Sequence, residues 1–175
     1  VIRTFGNTDW SASYEWSSFG GGGGYGGYAN VNIDDISIWD SELSVSEIQT
    51  YMFTELNGDE TELAGYWNFN EGTGTTAYDV TSNSNDGTIY GATWSTDVPT
   101  PPDNNHSLSF DGEDDYVRIL DNEILQFETD FSVSLWYKLS VSPQIFQIMV
   151  SKQGTGSPNA HGWMYGFSNG ANWYV

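Results

Sequence analysis

Acidic side chains dominate the chemistry this chain can do. The run Asp111-Gly112-Glu113-Asp114-Asp115 sets four carboxylates around a glycine that permits a tight turn. Calcium takes about six to eight oxygen ligands, and Asp111, Asp114 and Asp115 could supply some of them; a solvated loop is the other reading of such a charge run. Asp34 and Asp35 stand side by side within VNIDDISIWD. Two carboxylates in a strand of this kind are costly unless they meet a cation or backbone donors, so they are candidates for calcium or a polar network, with a plain edge strand as the alternative. Asp79 with the turn Asn83 to Asp86 is a third oxygen-rich loop, although it lacks the spacing and terminal Glu of an EF-hand.

Catalysis finds little support. His106 and His161 are the only histidines, neither reads as part of a nucleophilic or zinc-ligand arrangement, and the absence of cysteine removes thiolate chemistry, Cys-type zinc sites and disulfides. Glu60-Thr61-Glu62 is the nearest approach to alternating carboxylates, but it adjoins the polar turn Asn57-Gly58-Asp59 and is expected to face solvent. Trp10, Trp16, Tyr25 and Tyr28 surround a glycine-rich run, Gly20 to Gly27, and are candidates for stacking on sugar rings, although core packing accounts better for most aromatics. The glycine run does not read as a phosphate cradle, because no buried strand precedes it, no helix follows it and no Lys accompanies it. It reads as a flexible loop or linker.

The chain has 24 acidic and 4 basic residues, a formal net charge of -20. Such a surface repels nucleic acid phosphates and anionic membranes, and suits divalent cations or a salty medium. With 38% hydrophobic residues, including 8 Trp, 11 Tyr and 9 Phe, the 175-residue chain can build a real core. No apolar run reaches the length of a transmembrane helix. The start lacks a basic-then-apolar signal pattern and begins at Val1, so the chain is expected to be an internal or processed segment.

These candidates need strands to position them. Residues 31–40, VNIDDISIWD, alternate imperfectly and predict a strand, with Val31, Ile33 and Asp35 expected on one face and Asn32, Asp34, Ile36 and Ile38 on the other. Ser44-Val45-Ser46-Glu47 is a capping box, so one short helix follows, with Val45, Ile48, Tyr51 and Met52 on its inner face. Tyr66, Trp67 and Phe69 predict a strand, and Thr88 to Trp94 another with Gly91 as a bulge. Pro99, Pro101 and Pro102 mark a semi-rigid linker over residues 99–105. Beyond it, Leu108 and Phe110, Tyr116 to Ile119, Phe131 to Tyr137, and Ile145 to Val150 predict further strands.

The succession NIDDISIWDSELSVSEIQTYM, ELAGYWNFNEGTGTTAYDVTSNSNDGTIYGATW, HSLSFDGEDDYVRI and FSVSLWYKL, over roughly residues 28–153, resembles the laminin G-like branch of the concanavalin A-like lectin and glucanase superfamily. In particular it resembles the repeated domains of secreted bacterial surface proteins. The resemblance implies an all-β, antiparallel two-sheet jelly-roll sandwich with one short helix and a structural calcium. It also implies a secreted, cell-surface module that binds glycans or mediates adhesion. Related glucanases place Glu, Asp and Glu on alternate strand positions, a motif this chain lacks, so it reads as non-enzymatic. The family's late motifs precede its early ones here. Residues 1–60 therefore read as the C-terminal part of one laminin G-like domain, 61–98 as connecting strands and turn loops, and 106–175 as the N-terminal part of the next. The second part is completed by 1–60 or by a neighbouring chain, which adds a structural repeat or filament subunit, stiffened by calcium, as the alternative function.

Overall fold

The runs that alternate in sequence become strands of two stacked sheets. The computed structural model describes residues 2–5, 14–21, 27–98, 106–127, 129–140, 146–154, 161–168 and 171–174; Trp10, Tyr25 and the linker 99–105 lie outside them. The first strands are β1 (Ile2–Phe5), β2 (Tyr14–Phe19), β3 (Asn30–Trp39), β4 (Leu63–Trp67), β5 (Thr76–Ala77), β6 (Gly87–Tyr90) and β7 (Thr93–Ser95). Then come β8 (Ser107–Asp111), β9 (Tyr116–Leu120), β10 (Phe131–Leu139), β11 (Gln147–Gly154), β12 (His161–Ser168) and β13 (Ala171–Tyr174). One sheet runs β1-β10-β3-β8-β7, with β4 also on β3, and the other runs β13-β12-β11-β2-β9-β6-β5. Every strand pairing is antiparallel. The molecule is thus the expected two-sheet sandwich, with one short α-helix among the described residues. Because β3 lies between β10 and β8, and β2 between β11 and β9, strands from residues 1–60 and 106–175 alternate within both sheets.

Strand β3 organises the first sheet. One edge bonds β10 along most of its length, while the other bonds β8 over Asn30 to Ile33 and β4 over Ile36 to Trp39. At the change of partner Asp35 is an extra residue at φ 50°, and the register to β10 shifts between Ser134 and Trp136. This bulge corrects the alternation expected from sequence. Val31, Ile33, Ile36 and Ile38 all enter the core between the sheets, with Phe19, Trp67, Phe110, Val117, Ile119, Val133, Leu135 and Val150.

The outer face of the first sheet has its own apolar cluster of Trp39, Leu43, Leu56, Leu63 and Tyr66. Over it lies α1 (Val45–Tyr51), started by the anticipated capping box: Glu47 N donates to Ser44 Oγ at 3.3 Å and Ser44 N to Glu47 Oε2 at 2.8 Å. Tyr51 stacks on Trp39 with centroids 4.7 Å apart, and Ile48 packs beside it. Val45 departs from the expected face and is 70% exposed, so the stripe that touches the sheet is one turn shorter than the periodicity suggested.

Glycines bear on two further expectations, and correct the first. Gly91, at φ 78°, is no bulge within one strand but the point where the chain leaves one sheet at β6 and enters the other at β7. The described ends of the glycine-rich run are held rather than free: Gly20 N donates to Met149 O at 2.8 Å, Gly27 N to Phe146 O at 2.8 Å, and a Cβ on Gly20 would collide with the Phe110 ring.

Candidate functional site

Two crossovers between the sheets meet at one rim. The first is the Gly91 turn; the second runs from Asp111 at the end of β8 to Tyr116 at the start of β9. A Cβ on Gly91 would collide with Asp115 Oδ1, so the crossovers touch and glycine permits the approach. The acidic loop is braced from within and from below. Asp111 N donates to Asp115 Oδ2 at 2.9 Å, Glu113 N to Asp111 Oδ1 at 2.8 Å, and Asn30 Nδ2 to Asp111 O at 2.7 Å.

This arrangement gathers one carboxylate oxygen from each of Asp111, Asp114 and Asp115 to within 4.8 Å of one another. Asp111 and Asp114 are exposed, whereas Asp115 is buried. Burial pushes the Asp115 carboxyl above the usual carboxylate range, against the pull of the Asp111 amide, and the charges of Asp111 and Asp114 push in the same direction as burial. Three like charges in this geometry could hold a metal ion, whose charge would relieve the repulsion.

The other carboxylates singled out in the sequence do not join this cluster. Asp79 is 8% exposed and its two oxygens accept five hydrogen bonds: from Tyr66 N, Thr81 N and Thr81 Oγ1 on Oδ1, and from Asn85 N and Asn85 Nδ2 on Oδ2. Those donors tie the loop after β5 to β4. Asp34 Oδ1 accepts from Asp35 N at 3.0 Å, and Asp35 Oδ1 accepts from Tyr66 Oη at 2.6 Å. Burial, followed by the charge of Asp35, keeps the Tyr66 hydroxyl protonated well beyond the ordinary tyrosine range. Both aspartates therefore sit in a polar network at the bulge.

Beside the acidic rim the outer face of the second sheet is aromatic. Ile89 and Val117 point into the core, so Tyr90 and Tyr116, their neighbours in sequence and partners across β6 and β9, point outward. Their rings stack with centroids 4.6 Å apart and 13° between planes. Trp16 from β2 and Tyr28 each come within 6.5 Å of the Tyr116 ring. Arg118, two residues along β9, lies 5.1 Å from the Tyr90 ring centroid and donates from Nη2 to Tyr90 Oη at 2.6 Å. All five side chains are half-buried. Two of the four aromatics proposed for stacking, Trp16 and Tyr28, thus converge on one centre. Sequence reasoning missed Tyr90, Tyr116 and Arg118. The available signal was the strand period, since fixing Ile89 and Val117 inward forces both tyrosines out.

No protein-family model, curated protein or solved structure matches this chain.

Proposed function

We propose that the chain is a non-catalytic extracellular carbohydrate-binding and adhesion module of laminin G-like type, with calcium at Asp111, Asp114 and Asp115 stiffening the rim beside a saccharide platform. The observation that carries this reading is the convergence of Trp16, Tyr28, Tyr90 and Tyr116 on one outer face, directly next to the carboxylate cluster. Pyranose rings present apolar C–H faces that such rings cover, while Arg118 and the tyrosine hydroxyls supply polar contacts at the edge. The net charge of -20 favours neutral glycans over polyanionic ones. The test is binding to a panel of immobilised neutral polysaccharides, in calcium and in chelator, for the wild type and Tyr116→Ala. Calcium-enhanced binding that Tyr116→Ala abolishes is expected; binding that ignores this substitution, or no binding to any neutral glycan, rejects the platform.

One observation favours a second reading, a structural repeat or filament subunit. Strands from residues 1–60 and 106–175 alternate in both sheets, so neighbouring copies that exchanged the first segment could reuse the same registers. Light scattering separates the two, because strand exchange gives multiples of the chain mass whereas a self-contained module stays monomeric.

A further inference from the structure

The opposite face of the sandwich holds a cleft that the platform does not involve. It has a volume of about 260 Å³ and lies on the outer face of the first sheet, before the region covered by α1. Its floor is made of two cross-strand pairs of β3 and β10, Asp34 with Trp136 and Asn32 with Lys138. Its far wall is Ser107 and Asp97. The bulge at Asp35 creates this floor, because it ends the strand phase that puts Asn32 and Asp34 outward and lets the next phase bury Ile36 and Ile38.

The chemistry of the lining selects its ligand. Trp136 is half-buried and lines the cleft. Asp34, only 2% exposed, lies at the floor with Oδ1 held by the Asp35 amide at 3.0 Å, which fixes the carboxylate in place. Asn32 Nδ2 donates to Asp97 Oδ2 at 3.3 Å, and Lys138 Nζ closes the rim onto Asp97 at 2.7 Å. An anion meets two carboxylates there, and a cation meets the ammonium of Lys138. A neutral polyol meets the Trp136 ring, the Asp34 and Asp97 carboxylates, the Asn32 amide and the Lys138 ammonium, a mixture of acceptors and donors that vicinal hydroxyl groups match. Pockets for drug-sized ligands run from about 300 to 1,000 Å³, so this cleft suits one or two sugar rings rather than a long chain.

We propose that this cleft is a second saccharide site, specific for a neutral sugar ring, independent of calcium and on the face opposite the aromatic platform. A module with both sites grips one saccharide on each face and cross-links them. The cleft stands on its own geometry and does not depend on the platform reading.

The experiment is NMR titration of the isotope-labelled 175-residue chain with the methyl glycosides of glucose, galactose, mannose and N-acetylglucosamine, in calcium and again in chelator. At least one glycoside is expected to shift the Trp136 indole N–H and the Asn32 side-chain amide in both conditions, with the millimolar affinity that a ligand of about a dozen heavy atoms reaches. Trp136→Ala weakens binding by about tenfold or more. Asn32→Ala, at a half-buried polar position less costly to folding, weakens it in the same direction. Cleft shifts by a glycoside with no effect at Tyr116 support this site and reject the platform. Shifts confined to Trp16, Tyr28 and Tyr116 reject the cleft. No shift at the cleft, shifts that survive both cleft variants, or shifts that disappear in chelator also overturn it.

Discussion

Asp79 and Asp115 are both buried carboxylates with opposite electrostatic surroundings. Asp79 is surrounded by donors, five of them from Tyr66, Thr81 and Asn85. Replacing it with Asn sets an amide N–H₂ against N–H groups, which leaves buried donors facing donors. Asp79→Asn is expected to cost about 3 kcal/mol and to lower the melting temperature by roughly 6–12 °C for a chain of this length, with or without calcium. Asp115 instead meets the charges of Asp111 and Asp114, and burial raises its carboxyl. Asp115→Asn keeps an oxygen to accept the Asp111 amide and removes one like charge, so in chelator its stability is expected to lie within about 0.5 kcal/mol of the wild type or above it. The same variant loses the stabilisation by calcium. Gly91→Ala probes the rim from the other crossover: φ 78° disfavours a side chain and the new Cβ collides with Asp115 Oδ1. A loss of about 1–3 kcal/mol is expected in a thermal melt, together with weaker calcium binding by calorimetry. A melt unchanged by Gly91→Ala would mean that the two crossovers do not touch.

At the scale of elements, the bulge in β3 shows how local strain is outweighed by burial. Without the extra residue, the strand phase that buries Val31 and Ile33 would turn Ile36 and Ile38 outward. Burying those two side chains is worth about 3–6 kcal/mol, against about 1–3 kcal/mol for a non-glycine residue in left-handed backbone, and Asp tolerates that region better than most residues. Asp35→Asn is therefore expected to cost less than about 1 kcal/mol, because the amide still accepts from Tyr66 and tolerates φ 50°. Asp35→Val, β-branched and without an acceptor, is expected to cost about 3 kcal/mol or more. Denaturant midpoints check the pair, and equal losses would deny the bulge its role. The sequence reading saw this strand and its doubled aspartate but placed Ile36 and Ile38 opposite Ile33, because strict alternation has no term for an inserted residue. The helix was legible because Ser44 and Glu47 satisfy each other within four residues. The acidic cluster was legible for the same reason, since Asp111, Asp114 and Asp115 are neighbours in sequence. The aromatic face was only half legible: the meeting of Trp16 with Tyr116 depends on the β2–β9 pairing between residues some hundred positions apart, which no local pattern encodes.

For the whole molecule the decisive quantity is charge. Three of the four basic residues already have partners: Lys138 bonds Asp97 at 2.7 Å, Lys152 bonds Asp121 at 2.5 Å, and Arg118 bonds the Tyr90 hydroxyl. Most of the 24 acidic residues therefore repel one another without a compensating cation from the chain. Two effects of added salt must then be separated. Sodium chloride shortens the screening length from about 30 Å at 0.01 M to about 10 Å at 0.1 M, and raises stability for any acidic surface. Calcium at low millimolar concentration hardly changes ionic strength beside 0.1 M sodium chloride, so stabilisation that it adds there reports binding. A single site at a calcium concentration of one hundred times its dissociation constant contributes about 2.7 kcal/mol, or roughly 5–11 °C in melting temperature. Magnesium, which holds its waters and demands tight octahedral geometry, is expected to add less. In Asp111→Asn with Asp114→Asn the sodium increment should remain and the calcium increment should vanish. If ionic-strength-matched sodium reproduces the whole calcium effect, the rim at Asp111 to Asp115 is a solvated loop, and any adhesion must come from the aromatic face and the cleft alone.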